Sequence, residues 1–192
     1  MQLFFRRRFI SVLLALSGVF SLTQAADAPK VLFKTSMGNI VIELDPEKAP
    51  RTVDNFLAYV KAGYYKGAIF HRVINNFMIQ GGGFDINMKE KTPTRPPIRN
   101  EGQNGLKNDP YTIAMARTGN PHSATAQFFI NVNANDRLNY PASDGFGYAV
   151  FGKVIAGMEV VDQIKLVEVA NSGMHQNVPL KPVLIESVSI IK

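Results

Sequence analysis

The 192-residue chain contains no cysteine and no tryptophan. The first absence excludes disulfides, thiolate metal ligands and cysteine nucleophiles, so the fold must rest on its apolar core. Histidine is scarce as well. His71, His122 and His175 are the only three, and they show no spacing that builds a metal site. No internal repeat, no second domain boundary and no basic stripe interleaved with aromatics is visible, which argues against a nucleic-acid binder. Long hydrophobic runs are missing too. The longest, "FISVLLALSGVF", is about a dozen residues, short of the roughly 20 that span a bilayer.

That run has another reading. It follows Arg6, Arg7 and Arg8 and precedes "SLTQA", with small residues at Thr23 and Ala25. This is the layout of a secretory signal peptide over residues 1–25, cut after Ala25 or Ala26. Residues 26–192 would then form a single domain with no membrane span. Removing the leader takes three arginines and no acids, leaving 18 basic against 15 acidic residues and a net charge of +3. The high isoelectric point of the full chain therefore overstates any attraction to polyanions.

What is present is a core-forming pattern. Thirteen phenylalanines supply large apolar side chains. "VLFKTSMGNIVIELD" reads as a hairpin around Met37-Gly38-Asn39. "APRTVDNFLAYVKAG" predicts a helix with Pro50 in its first turn and Gly63 as terminator, and Val53, Phe56, Leu57 and Val60 form one apolar face. "YTIAMA", "AQFFINV", "YAVFGKV" and "VLIESVSII" read as strands, and "GMEVVDQIKLV" as a second helix. Residues 82–110 are polar and lack periodicity, and a loop that long in a compact domain is usually functional or a mobile excursion. About eight strands without βαβ alternation predict a mainly β fold, a closed eight-stranded antiparallel barrel capped by two α-helices.

One stretch carries a chemical question. "FHRVINNFMIQGGGF", Phe70 to Phe84, reads as two apolar strands joined at Asn75-Asn76. By period-2 geometry Phe70, Arg72 and Ile74 share a face, Met78 and Gln80 share a face, and Phe77 sits at the turn. Paired as a hairpin, the strands set Arg72 against Met78 and Gln80. The same parity turns His71 away from Arg72, as a hydrogen-bonded core histidine, and leaves His122 and His175 in surface loops. The glycines Gly81 to Gly83 fit a bend or bulge where chain passes closely, since no helix follows to make a phosphate cradle. From spacing alone, Arg72 is as readily a scaffold residue as a site.

This stretch closely resembles the signature of cyclophilin-type peptidyl-prolyl cis/trans isomerases, and most of all that of periplasmic cyclophilins of Gram-negative bacteria. The resemblance continues through "IAMARTGNPHSATAQFFINV" and "GFGYAVFGKVIAGMEVVDQI", covering nearly all of Val31 to Lys192. It implies a cofactor-free, metal-free isomerase of X-Pro bonds that assists folding of exported proteins. It also implies Arg72 as catalytic residue, and Phe77, Met78, Phe129 and Leu138 as walls and floor of a proline pocket. Gln80 and Gln127 would line the groove, and Ala116 with Arg117 would form the edge that receives the substrate backbone. Arg137 stands where many eukaryotic members carry a rim tryptophan, Tyr148 where many carry a pocket histidine, and Gly83 where the signature usually has aspartate. These departures imply weak cyclosporin binding. The expected partners are proline-containing unfolded or loop segments, the expected location the periplasm and the expected state a monomer.

Overall fold

The structure, a computed structural model, describes residues 28–192, so the leader expected over residues 1–25 lies outside the described residues. Strand β1 (Lys30–Thr35) pairs with β2 (Gly38–Leu44) in a hairpin whose turn is Ser36-Met37, with Thr35 opposite Gly38. The turn thus lies immediately before Gly38, the centre of the expected Met37-Gly38-Asn39 turn, and Gly38 and Asn39 already belong to β2. Helix α1 (Pro50–Lys61) follows, with Pro50 in its first turn and Gly63 at φ +66° just beyond its end.

The remaining elements are β3 (Ala68–Ile74), β4 (Met78–Asp85), β5 (Thr112–Met115), β6 (Phe128–Asn131), β7 (Val150–Ala156), α2 (Met158–Lys165), β8 (Val169–Ser172), β9 (His175–Pro179) and β10 (Leu184–Ile191). Eight strands close an antiparallel barrel in the order β1-β10-β3-β4-β6-β5-β7-β2, and β8 with β9 forms a separate two-stranded hairpin. The expected barrel and both expected helices are present. The β8–β9 hairpin is an addition that the sequence pattern does not announce, because its first strand is exposed at all four residues.

Alternation along the strands creates two apolar surfaces. Ile79, Ile113, Met115, Phe128, Ile130 and Phe151 point into the barrel, where Phe56 from α1 and Ile164 from α2 also pack. Phe56 is fully buried and touches Phe33, Phe128 and Phe151 at ring separations of 5.2–6.2 Å. Burying such a ring contributes roughly 2–3 kcal/mol. The residues one step away, Met78, Ala114, Phe129 and Val150, face the outside of the same wall. Phe128 and Phe129 are neighbours in sequence yet serve the two sides of the sheet.

The 86–110 segment is not idle chain. Ile98 bridges to Ala124, and the Glu101 carboxylate accepts from the backbone N–H of Arg51 (3.2 Å) and Thr52 (2.9 Å) and from the Thr52 hydroxyl (2.8 Å). Helix α1 has Ala49 at its N-cap and no local side-chain cap. Glu101, 49 positions downstream of Thr52, supplies the acceptors that its first turn needs.

Candidate active site

Strands β3 and β4 carry the centre of the site, and their register is irregular in a way that decides its geometry. Phe70 is opposite Gly81, but Arg72 is opposite Gln80, so two steps on β3 match one on β4. His71 is the extra residue of a β-bulge. The bulge breaks the period-2 count: Phe70 lies in the barrel core while Arg72 is on the outer face. The expectation that Phe70 and Arg72 share a face is thereby corrected. His71 does not turn away from Arg72 either, since both line one cleft. Beyond the bulge the alternation is regular, and Ile74 stands opposite Met78 on the outer face.

A second irregularity involves the glycines. Ala68 is opposite Asp85 and Phe70 opposite Gly81, so β4 carries extra residues across Gly82 and Gly83. Gly82 has φ +86°, and a Cβ there would press on the Tyr65 and Phe128 rings at 2.9 and 3.0 Å. A Cβ at Gly83 would collide with the Gln127 side chain. The glycine run is therefore a bulge of close approach, and Gly83 leaves room for Gln127.

That room completes a polar row. The Arg72 guanidinium donates to Gln80 Oε1 at 3.4 Å, and Gln80 Nε2 donates to Gln127 Oε1 at 3.1 Å. Arg72 is partly exposed and has no carboxylate partner among the described residues. Next to this row on the outer face, Met78 and Phe129 are buried, and Phe77, Leu138, Ala116 and Tyr148 pack on them with Ile74. The sequence-predicted residues thus converge on one face: a guanidinium and two amides beside an apolar wall.

The edge beside the wall is stiffened. The Ala116 N–H donates to the Gln127 carbonyl at 3.0 Å. Arg117 lies over the Tyr148 ring at 4.3 Å, donates to the Gly147 carbonyl at 3.2 and 3.0 Å, and pairs with Asp144. The Asp144 carboxyl is held down at about 2, first by the backbone N–H groups of Phe146 and Gly147 and then by Arg117. Tyr148 meets Phe129 edge-on at 5.7 Å. Arg137 and Leu138 belong to a short 3-10 turn, Asp136–Leu138.

Two groups of residues here escape sequence reasoning. One is an asparagine network beneath Leu138. Asn131 donates to Asn108 (3.2 Å) and Thr112 (2.9 Å), Asn135 donates to Asn131 (2.6 Å) and to the Phe77 carbonyl (2.8 Å), and the Asn108 N–H donates to Asn139 (2.7 Å). It ties the 3-10 turn to the Phe77 turn across the wall. The asparagines look like loop filler in sequence, and no periodicity marks them.

The other is the β8–β9 hairpin. His175 lies in β9, not in a surface loop, and packs on Phe84 at 4.9 Å, while Phe84 packs on His71 at 4.6 Å. His71 is 5% exposed, and its Nδ1 has no hydrogen-bond partner among the described residues. The expected hydrogen-bonded core histidine is thus a buried imidazole with one nitrogen unpaired. Burial first, then His175 and Arg72, lower its pKa to about 4 against a smaller opposing pull from the Ile69 backbone. His122 is exposed, as expected of a loop residue, and its Nδ1 accepts from the Asn100 N–H at 3.2 Å. A cavity of ≈ 440 Å³ between Glu43–Glu47 and Lys107–Asp109 contains none of the polar row and is separate from this site.

Comparison with known proteins decides the family. Residues 30–190 match the family model described as cyclophilin type peptidyl-prolyl cis-trans isomerase/CLD. The chain belongs to the cyclophilin-type peptidyl-prolyl cis-trans isomerases. It is 58% identical over 162 residues to peptidyl-prolyl cis-trans isomerase B of Escherichia coli K12, an alignment covering 83% of this chain and 98% of that one. It is 53% identical over 187 residues to isomerase A of Dickeya dadantii, covering 94% and 97%. Among solved structures, a cyclophilin-type isomerase of Cryptosporidium parvum superposes with a TM-score of 0.70 at 28% identity, covering 86% of this chain and 98% of that one. The same protein has been solved in the presence of the dipeptide Ala-Pro, with a TM-score of 0.69. The cyclophilin barrel and the isomerase activity follow from these matches, and proline-containing peptides are the substrates that the activity implies.

Proposed function

We propose that this cyclophilin accelerates X-Pro rotation with Arg72 as the catalytic donor, acting on exported proteins in the periplasm and assisting their folding. The observation that carries the proposal is the placement of Arg72. It is a partly exposed guanidinium without a carboxylate partner among the described residues, held beside Gln80 and next to the apolar wall of Phe77, Met78, Phe129 and Leu138.

Rotation about X-Pro is opposed by amide resonance, a barrier of about 18–20 kcal/mol. At the twisted state the proline nitrogen becomes pyramidal and regains a lone pair. A guanidinium donor there stabilises the twisted state and not the planar one, which is differential binding of the transition state. The smaller dipole of the twisted amide also suits an apolar surround. Proline would pack on Phe77, Met78, Phe129 and Leu138, with Tyr148 at the rim. The Ala116–Arg117 edge would receive the backbone, and Gln80 and Gln127 would orient the neighbouring carbonyl. A donor of this kind contributes about 3–4 kcal/mol, or 10²–10³ in rate. Arginine suits the role because it stays charged at any working pH. Export to the periplasm rests on the basic, short-apolar, small-residue leader over residues 1–25, and a monomer suffices because the site lies within one chain.

The test is isomerisation of a short X-Pro peptide by wild type and Arg72→Ala. A variant slowed about 10²-fold or more with unchanged circular dichroism supports the assignment. A variant as fast as wild type removes Arg72 from catalysis, and peptide binding without turnover in wild type favours a holding role over isomerisation.

A further inference from the structure

The cleft beside Arg72 extends past the polar row to the β8–β9 hairpin. It has a volume of ≈ 390 Å³, and its lining includes His71, Arg72, Phe84, Gln127, His175 and Gln176, with Met174 at the rim. None of its lining residues is acidic. Arg72 supplies a permanent positive charge, His175 carries at least one N–H donor in either protonation state, and Gln127 and Gln176 carry amide donors. The Nδ1 of His71 is buried and has no partner among the described residues, so the donors the cleft offers a ligand are those of Arg72, His175, Gln127 and Gln176. Met174 is 97% exposed at the hairpin tip, so its side chain is open to solvent. A flexible thioether suits contact with varied chains.

We infer that this cleft is a flanking subsite for the substrate chain, selective for an acidic side chain close in sequence to the bound proline. The inference rests on the placement of the isomerase site at Arg72 and adds to it a source of selectivity. The proline occupies the apolar wall of Phe77, Met78, Phe129 and Leu138, and the chain on one side of it passes over the Gln80–Gln127 row. A carboxylate reaching into the cleft meets donors from the hairpin and the field of Arg72. A lysine meets the same field with the wrong sign and finds no acid. Because β9 packs against β3, the hairpin holds His175 and Gln176 in fixed relation to Arg72.

The test is isomerisation measured by exchange NMR, which needs no coupling protease, on peptides that differ at one position. Glutamate, glutamine or lysine is placed in turn at each of the nearest positions before and after proline. At one of these positions glutamate should exceed glutamine by about fivefold in kcat/KM, with lysine below both. Amide shifts on titration with the glutamate peptide should include Met174 and Gln176. Gln176→Glu, an exposed substitution on the hairpin, should reverse the order of the glutamate and lysine peptides. Rates within about twofold at every position, or a glutamate preference that survives Gln176→Glu, overturn the subsite while leaving the isomerase site standing. If no peptide is turned over faster than in buffer, the placement at Arg72 fails and the subsite falls with it.

Discussion

Arg72 and Gln80 face each other across the β3–β4 ladder, and the guanidinium reaches the amide oxygen at 3.4 Å. The bond is long, so Gln80 steers Arg72 without occupying most of its donors. Gln80 is itself steered by Gln127, to which it donates. Gln80→Leu should therefore slow isomerisation by about tenfold, less than Arg72→Ala does, because the donor remains but loses its guide. Arg72→Lys should recover little, since an ammonium on a flexible stem cannot reproduce the fixed fork. Single-turnover rates for the three variants on one peptide give the ranking, and a Gln80→Leu as slow as Arg72→Ala would make the amide the principal group.

Gly83 controls the same row from behind. Its missing Cβ is the space that the Gln127 side chain fills. Gly83→Ala meets a flexible side chain and not backbone, so the stability cost should stay within about 1 kcal/mol. Gln127 must move, however, and its bond to Gln80 breaks. We expect kcat/KM to fall about threefold to tenfold, and Gly83→Ala to have almost no further effect in a Gln127→Ala background. That double-mutant cycle isolates the contact, and additive effects would mean that the glycine serves only the bulge.

These two relationships show what sequence can and cannot expose. Helix α1 was legible because Pro50, Val53, Phe56 and Val60 state its start and its buried face within one window. The barrel strands were legible because alternation marks them, and Met78 and Gln80 share the outer face as parity requires. The side of the sheet on which His71 lies was not legible, since a bulge is a property of two strands and the count along one strand passes over it. The β8–β9 hairpin was illegible for a different reason. All four residues of "VANS" are exposed and "HQNVP" buries only its last two, Val178 and Pro179, so no alternation survives to mark them. His175 therefore looked like loop surface although it packs on Phe84 beside the site. The family resemblance supplied the expected roles of Phe77, Leu138 and Tyr148, which spacing alone could not assign.

His71 makes stability depend on pH with a definite sign. In the unfolded chain it takes up a proton near its ordinary value of 6.5, whereas in the fold it resists until about 4. Between these values the unfolded state binds more protons, so stability falls as pH drops from 6.5 to 4 and changes no further below that on this account. The full contribution is up to roughly 3 kcal/mol. His71→Gln removes the titration. Urea denaturation at pH 7 and pH 4.5 should show a smaller loss for the variant than for wild type, with the carboxylates common to both. Equal losses would mean that the imidazole relaxes toward solvent when protonated.

Glu101 offers the sharpest separation of stability from chemistry. Its carboxylate accepts three hydrogen bonds from Arg51 and Thr52, where a helix N-terminus presents free N–H groups and partial positive charge. A local N-cap is worth about 1 kcal/mol and up to about 2, and a carboxylate with the Thr52 hydroxyl added belongs at the upper end. Glu101→Ala should therefore lose about 2 kcal/mol of unfolding free energy in urea denaturation, and Glu101→Gln about half that, because the amide keeps one acceptor but not the charge. The effect does not stop at α1. Glu101 anchors a segment that also runs through Asn100, whose side chain donates to the Gly147 carbonyl at 3.1 Å, and Gly147 accepts from Arg117 at the substrate edge. Loosening the anchor should raise KM several-fold while kcat stays near wild type, since Arg72 and Gln80 sit on strands that Glu101 does not touch. If kcat falls with KM unchanged, the loop acts on the donor and not on the edge, and the chain of contacts from Glu101 through Asn100 to Gly147 is not what positions Arg117.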